Sequence, residues 1–382
     1  MTKEQKVNNN RMGLKVIILF GLIAVVFLSV LISMNKDFAI SWDTFNLQNL
    51  IEQLNNNETV ESSDVFSLAG FNVTDTAQYQ GKLLVLTNSD IRLLNANGEE
   101  AWYYAHEMRQ PVLTLNDKWI LVYEKSGKSY MVIENGRVIL RDKVDEEIAF
   151  GKATDKYLLF ISVSTKGYKR TIYFTDQETG IELGALYIDD FFPYYASTFN
   201  DEKYFILYGL GTNSTSISTI IRVYDSTLLT NPIANTEIEG LSPVIYNNNK
   251  TYMSAGKDTV LCYDTNLDML YSHQFQSSIV AAGLFQDNGF IAAVDGEENA
   301  IYFHNLKGEE IAKDFLDNSI QSIVVYNNIA AIVCGSEVLF YNSAGKLISN
   351  TSLPGISIDV HFLDSEQAFL VTENEAILYS IK

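Results

Sequence analysis

The chain has 382 residues, of which 47% are hydrophobic and 12% aromatic, with five prolines and two cysteines. That is enough for a sizeable core, and length alone leaves one long all-β domain or two shorter domains equally open. The net charge is −20, and because Lys3, Lys6, Arg11 and Lys15 against Glu4 give the first 34 residues +3, the remainder carries −23, a surface that repels phosphate backbones and excludes nucleic acid as a partner.

Val16 to Met34 is a run of 19 residues without a charge, long enough at helical rise to cross a hydrocarbon core of roughly 30 Å. Positive charge precedes it, and Asp37, Asp43 and Glu52 follow it. The positive-inside rule therefore predicts a cytoplasmic tail over 1–15, a transmembrane helix over 16–34 and everything beyond outside the membrane. A cleaved signal peptide is the rival, but the run is longer than a usual signal core and no A-x-A-like site follows. Residues 35–65 are polar and Asn-rich and read as a tether, with Phe45–Leu54 able to form a short amphipathic helix.

From residue 66 to 382 short alternating runs rich in Val, Ile, Tyr and Phe recur between Asn, Asp and Gly, the pattern of strands and turns. An apolar run ending in a polar turn returns at Asn95, Glu134, Asp176, Asp225, Asp264, Asn305, Asn342 and Ser380, at separations of 39, 42, 49, 39, 41, 37 and 38. Gly98, Gly136, Gly180, Gly308 and Gly345 follow five of these turns, as a positive φ requires. A second marker keeps the same beat: Gly81-Lys82, Asp117-Lys118, Asp155-Lys156, Glu202-Lys203, Asn249-Lys250, Asn288-Gly289, Asn327-Asn328 and Ser365-Glu366. Two markers with a period near 40 residues predict an all-β, eight-bladed β-propeller of four-stranded blades, with seven blades as the alternative. The repeats run 76–106, 111–147, 148–192, 193–241, 243–278, 279–318, 319–355 and 356–382. The last holds only three strands, and Val65–Phe71 is the natural donor of its fourth, closing the ring.

Asp90 to Trp102, with Gly98 in its turn, resembles the strand–turn–strand unit of PQQ-like propellers, in which a Gly turn is followed by a Trp that docks between blades. The whole plan is similar to an uncharacterised family of single-pass, membrane-anchored propellers of Gram-positive bacteria. The resemblance implies a fold and no activity; the adjacent Cys-Cys pair of the superfamily's quinone-dependent dehydrogenases is missing.

The search for chemistry returns little. His106, His273, His304 and His361 fall in four different repeats without ligand spacing, so no metal and no cofactor is expected. Cys262 and Cys334 sit in strand-like runs of non-adjacent repeats and read as buried small hydrophobes. No G-x-S-x-G and no phosphate-cradling loop is present, and acidic pairs such as Glu146-Glu147 and Asp189-Asp190 read as solvated. Asp295–Asn299 lacks calcium-loop spacing and reads as a hairpin turn.

Repeats three and four are the longest, with their extra length placed between second and third strands, at Ser164–Arg170 and Gly211–Ser216. Asp189–Tyr195 between them reads as a connection carrying four aromatics. Phe191, Phe192, Tyr194, Tyr195, Tyr168 and Asn213 are thus the candidate ligand-binding residues, with Phe191 and Phe192 as inter-blade plugs the competing assignment. The functional expectation is a membrane-anchored extracytoplasmic binding or scaffold module for a protein, peptide or glycan. A hydrolase-type enzyme with carboxylates in the central funnel is the alternative, and perturbed carboxylates converging there would favour it.

Overall fold

The computed structural model describes residues 64–382 apart from 200–201, 212–215, 228–230, 241–243, 248–250, 287–288, 297–298, 306 and 382. The tail, the membrane helix and nearly all of the tether expected before residue 64 lie outside the described residues. Among the described residues no helix is long and apolar enough to cross a membrane.

Eight antiparallel sheets of four strands succeed one another along the chain. They span Val73–Ala105, Pro111–Lys143, Ile148–Ile188, Phe191–Glu239, Val244–Gln274, Ser278–Leu316, Ser322–Ser352 and Ser357–Ser380, the last completed by Asp64–Ser67. The expected eight blades are present. The second and third strands of a blade are buried along almost their whole length, as in Lys82–Thr87, Trp119–Glu124 and Ser129–Glu134, because neighbouring blades cover both of their faces. Outermost strands such as Ala234–Glu239 alternate instead. The core is accordingly a series of inter-blade layers: Leu84, Leu86 and Ile91 of blade 1 pack with Ile120, Val122 and Met131 of blade 2.

The ring closes through the chain's early residues. Asp64–Ser67 pairs antiparallel with Glu375–Leu378, and Leu68 N donates to Asn374 O at 2.6 Å. Phe66 meets Phe369 edge-on at 6.3 Å, and both join Leu83 and Val85 of blade 1 in one apolar layer. The donor is shorter than the expected Val65–Phe71; residues 68–72 connect it to blade 1. Strand direction alternates within a blade, so turns after the first and third strands share one rim, while second-to-third turns and blade connections share the other. Ser67 faces Glu375 and Asp64 faces Leu378. The chain therefore enters the closing strand from the rim opposite the 163–169 loop.

The five turn glycines have φ between 70° and 80°, and each turn docks on the preceding blade. At Gly136 a Cβ would lie 2.9 Å from Trp102 Nε1, and Tyr104 OH donates to Gly136 O at 2.8 Å. Gly136→Ala is expected to lower stability by about 2 kcal/mol, through its positive φ and the displaced ring. The check is the denaturation midpoint together with Trp102 emission; an unchanged midpoint would show that the turn tolerates a side chain.

Two expectations require correction. Asp189–Tyr195 is not a connection: Phe191–Phe199 is the innermost strand of blade 4, and only Asp189 and Asp190 link it to blade 3. The third repeat thus ends at 188 and the fourth begins at 191. Pro193 fits because an innermost strand is a sheet edge with one unpaired side, and the register slips there between Pro193 and Tyr195. The extra length of blade 4 also lies partly in its strands, which have nine, eight and eight residues, rather than in the second loop alone.

Candidate functional site

The 163–169 loop joins the second and third strands of blade 3, Leu158–Ser162 and Arg170–Thr175. It is held from beneath by Glu146, whose side chain is only 2% exposed. One carboxylate oxygen accepts from Thr165 N at 2.7 Å and Thr165 Oγ1 at 2.8 Å, and the other accepts from Tyr173 OH at 3.0 Å. Burial pushes this carboxyl up, but the hydrogen bonds outweigh it and hold the group below its ordinary value. At the loop's far end Lys169 N donates to Ile188 O at 2.8 Å, and Lys169 Nζ donates to Asp190 O at 2.9 Å. Both ends being pinned, the loop presents its tip at a reduced ordering cost on binding.

Aromatic rings and cations alternate over this corner. The Tyr168 and Tyr187 rings lie 4.8 Å apart, with Lys166 Nζ 5.7 Å from the Tyr187 ring. Lys169 and Arg170 stand 4.9 and 5.5 Å from the Phe192 ring. Arg170 Nη1 donates to Lys169 O at 2.9 Å, its Nε is buried without an acceptor, and burial lowers the pKa of its guanidinium. Arg222 Nη1 donates to Asp190 Oδ1 at 3.0 Å, Nη2 contacts the second oxygen, and the guanidinium lies 4.5 Å over the Phe191 ring. That pairing, chiefly its hydrogen bonds, depresses the Asp190 carboxyl.

The predicted residues divide. Phe191 is fully buried among Leu186, Ile188 and Ile220, plugging blades 3 and 4 together. Phe192, Tyr194 and Tyr195 are half-buried on the same strand, not on a loop. Tyr194 is the extra residue of the bulge, and Tyr195 packs 5.2 Å from Phe150 and 6.0 Å from Tyr208. Tyr168 is 39% exposed, and Asn213 lies outside the described residues. The structure thus brings Tyr168 and Phe192 to one corner and adds Tyr187, Lys166 and Arg170 to it.

A second polar group lies on the innermost strands of blades 8 and 1. His361 Nε2 is 2.7 Å from Thr76 Oγ1 and 3.2 Å from Asp359 Oδ2; burial lowers the pKa of His361 and Asp359 opposes it. Burial raises the carboxyl of Asp75, hydrogen bonds from the Thr76 and Leu113 amides oppose the shift, and the charge of Asp359 adds to it. On blade 3, Lys152 Nζ donates to Ser197 Oγ of blade 4 at 2.9 Å. No group of three metal-ligating side chains occurs among the described residues. Cys262 and Cys334 are free and buried.

Residues 52–266, which include this corner, match the profile of a family described as a family of unknown function, DUF5711. No curated protein matches the sequence. Among solved structures the chain is similar to Sqt1 from Saccharomyces cerevisiae, with TM-score 0.62 and 10% identity over 84% of this chain and 98% of that one. It is similar to BamB from Moraxella catarrhalis, with TM-score 0.58 and 12% identity over 83% and 98%. The computationally designed Ika8 protein gives TM-score 0.62 and 14% identity over 82% and 98%. A designed protein is as similar as the natural ones, so the likeness carries the propeller and no activity.

Proposed function

The chain belongs to the DUF5711 family, and we propose that it is a membrane-anchored, extracytoplasmic binding module whose propeller holds a partner protein against the corner of blades 3 and 4. The observation that carries this reading is the pinned 163–169 loop, which offers Tyr168 beside Tyr187 with Lys166 next to them, and Lys169 and Arg170 over Phe192. Aromatic and Arg anchors on a rigid support are what protein recognition uses. Location outside the membrane rests on the uncharged run Val16–Met34 and the positive charge before it.

The test is a photo-crosslinking amino acid at position 168 of the full chain in intact cells, with position 118, on the opposite rim, as reference. Discrete protease-sensitive adducts from 168 alone are expected. Adducts from neither position, or equally from both, would remove the assignment of this corner; adducts resistant to protease but cut by glycosidases would make the ligand a glycan. The raised carboxyl of Asp75 near Asp359 is the one observation that favours the enzyme reading, and it stands apart from this corner.

A further inference from the structure

The outermost strand of blade 5, Met269–Gln274, is hydrogen-bonded on one side only, to Thr259–Asp264. Met269, Leu270, Ser272 and Gln274 are exposed, and only Tyr271 and His273 of the strand are partly covered. Its hold on blade 6 therefore rests on two rings. Tyr271 stands to Gly308 as Trp102 stands to Gly136: a Cβ on either glycine would lie 3.0 and 2.9 Å from the ring. At Gly136 the turn carbonyl accepts from a phenol, Tyr104 OH. At Gly308 it is approached by an imidazole, with His304 Nδ1 at 3.4 Å from Gly308 O. A carbonyl only accepts, so the neutral ring carries its hydrogen on Nδ1. His304 is 1% exposed, and its Nε2 is buried with no hydrogen-bond partner among the described residues. The His273 ring lies 4.5 Å away and Phe290 stacks at 4.9 Å, with Phe275 and Tyr302 beside them.

Charges around the pair come from both blades. Glu310 is the register partner of His304 on the outer strand of blade 6, and Lys313 stands 4.7 Å from the Tyr302 ring. Lys307 and Glu309 are exposed in the turn, and on blade 5 Cys262 pairs with Tyr271. Burial lowers the pKa of His304; Gly308 O and Glu310 oppose it, and His273 adds to it.

We propose that this seam is an acid-sensitive latch: protonation of His304 places an unpaired charge among aromatic rings, and the outer strand of blade 5 lets go of the glycine turn of blade 6. The closed seam favours the neutral ring. Its advantage is therefore whole above the ordinary histidine value of 6.5 and is lost as pH falls below it, towards the lower folded value. Because Met269–Gln274 is an edge strand, it can loosen without opening the ring of blades. The latch is independent of the corner of blades 3 and 4.

The test is amide exchange of the full chain in nanodiscs at about pH 8 and about pH 5.5, corrected for the pH dependence of exchange in free peptides. Protection across Met269–Gln274 is expected to fall about tenfold in acid, while Ile329–Cys334 of blade 7 changes little. His106 and His361 are covered as well, so only a local fall counts. The fall should be missing in His304→Phe, which keeps a ring on Phe290, and in His304→Gln. No fall in the unaltered chain, an equal fall in blade 7, or a fall that persists in either variant would each overturn the latch. Slower exchange in acid would overturn it too, since the rings and Glu310 would then be holding the cation.

Discussion

Deleting residues 62–70 is expected to abolish cooperative unfolding of the propeller. The deletion removes Asp64–Ser67, strips the partner from Glu375–Leu378 and empties the layer that Phe66 and Leu68 share with Leu83, Val85, Phe369 and Leu378. Phe66 alone fills a site where truncation to Ala costs about 3–5 kcal/mol, and Leu68, fully buried, adds a loss of the same order. Together these approach the total of about 5–15 kcal/mol that holds a domain folded. The opened blade also leaves a bare strand edge, which promotes association between chains. Thermal melting followed by circular dichroism, with light scattering, checks both outcomes. A truncated chain that melts cooperatively at the original temperature would show that the ring does not depend on this strand.

Glu146→Ala is expected to destabilise by about 1–3 kcal/mol, because the buried Tyr173 hydroxyl and two part-buried donors of Thr165 lose a charged acceptor. The loop above is expected to loosen at the same time, so crosslinking from position 168 should weaken even where the propeller remains folded. The effect has a pH signature of definite sign. Hydrogen bonding holds the folded carboxyl below its ordinary value of 4.5 despite the opposing burial. Its contribution is therefore fully present above that value and is lost as pH falls through the lower folded one. Urea midpoints of the unaltered chain should drop as pH falls below the ordinary carboxylate range. In Glu146→Ala that part of the drop should be missing, and identical slopes would show that Glu146 gains nothing from its partners.

The blade count was legible because each blade repeats two signals at nearly fixed separation: a polar turn after the first strand and a polar residue closing the third, followed by a turn glycine in five blades. The glycines could be read because docking on the preceding blade leaves no room for a side chain at Gly136. Phe191–Phe199 was illegible for a local reason. Asp189, Asp190 and Pro193 have turn chemistry, and only the position of the strand on the inner edge, where a missing N–H costs no ladder bond, admits the proline. Glu146 was missed because a carboxylate buried under a loop and one in water look alike in sequence. Its neighbour Glu147 is exposed, and the adjacent pair read as solvated. Tyr168 was found through loop length, whereas its companion Tyr187 lies on a strand whose alternation did not say which face meets water.

The closing strand also bears on how the protein is made. Asp64–Ser67 and the strand that pairs with it are separated by more than 300 residues. At ribosomal speed the first waits about 15–60 s before the second exists. Seven blades can form in chain order from neighbouring segments, yet the layer containing Phe66 stays open until the final blade is synthesised. During that interval the early strand is unpaired with Phe66 uncovered, and a chain interrupted anywhere before Glu375 leaves it so. Completion of the last blade is therefore the step that buries Phe66.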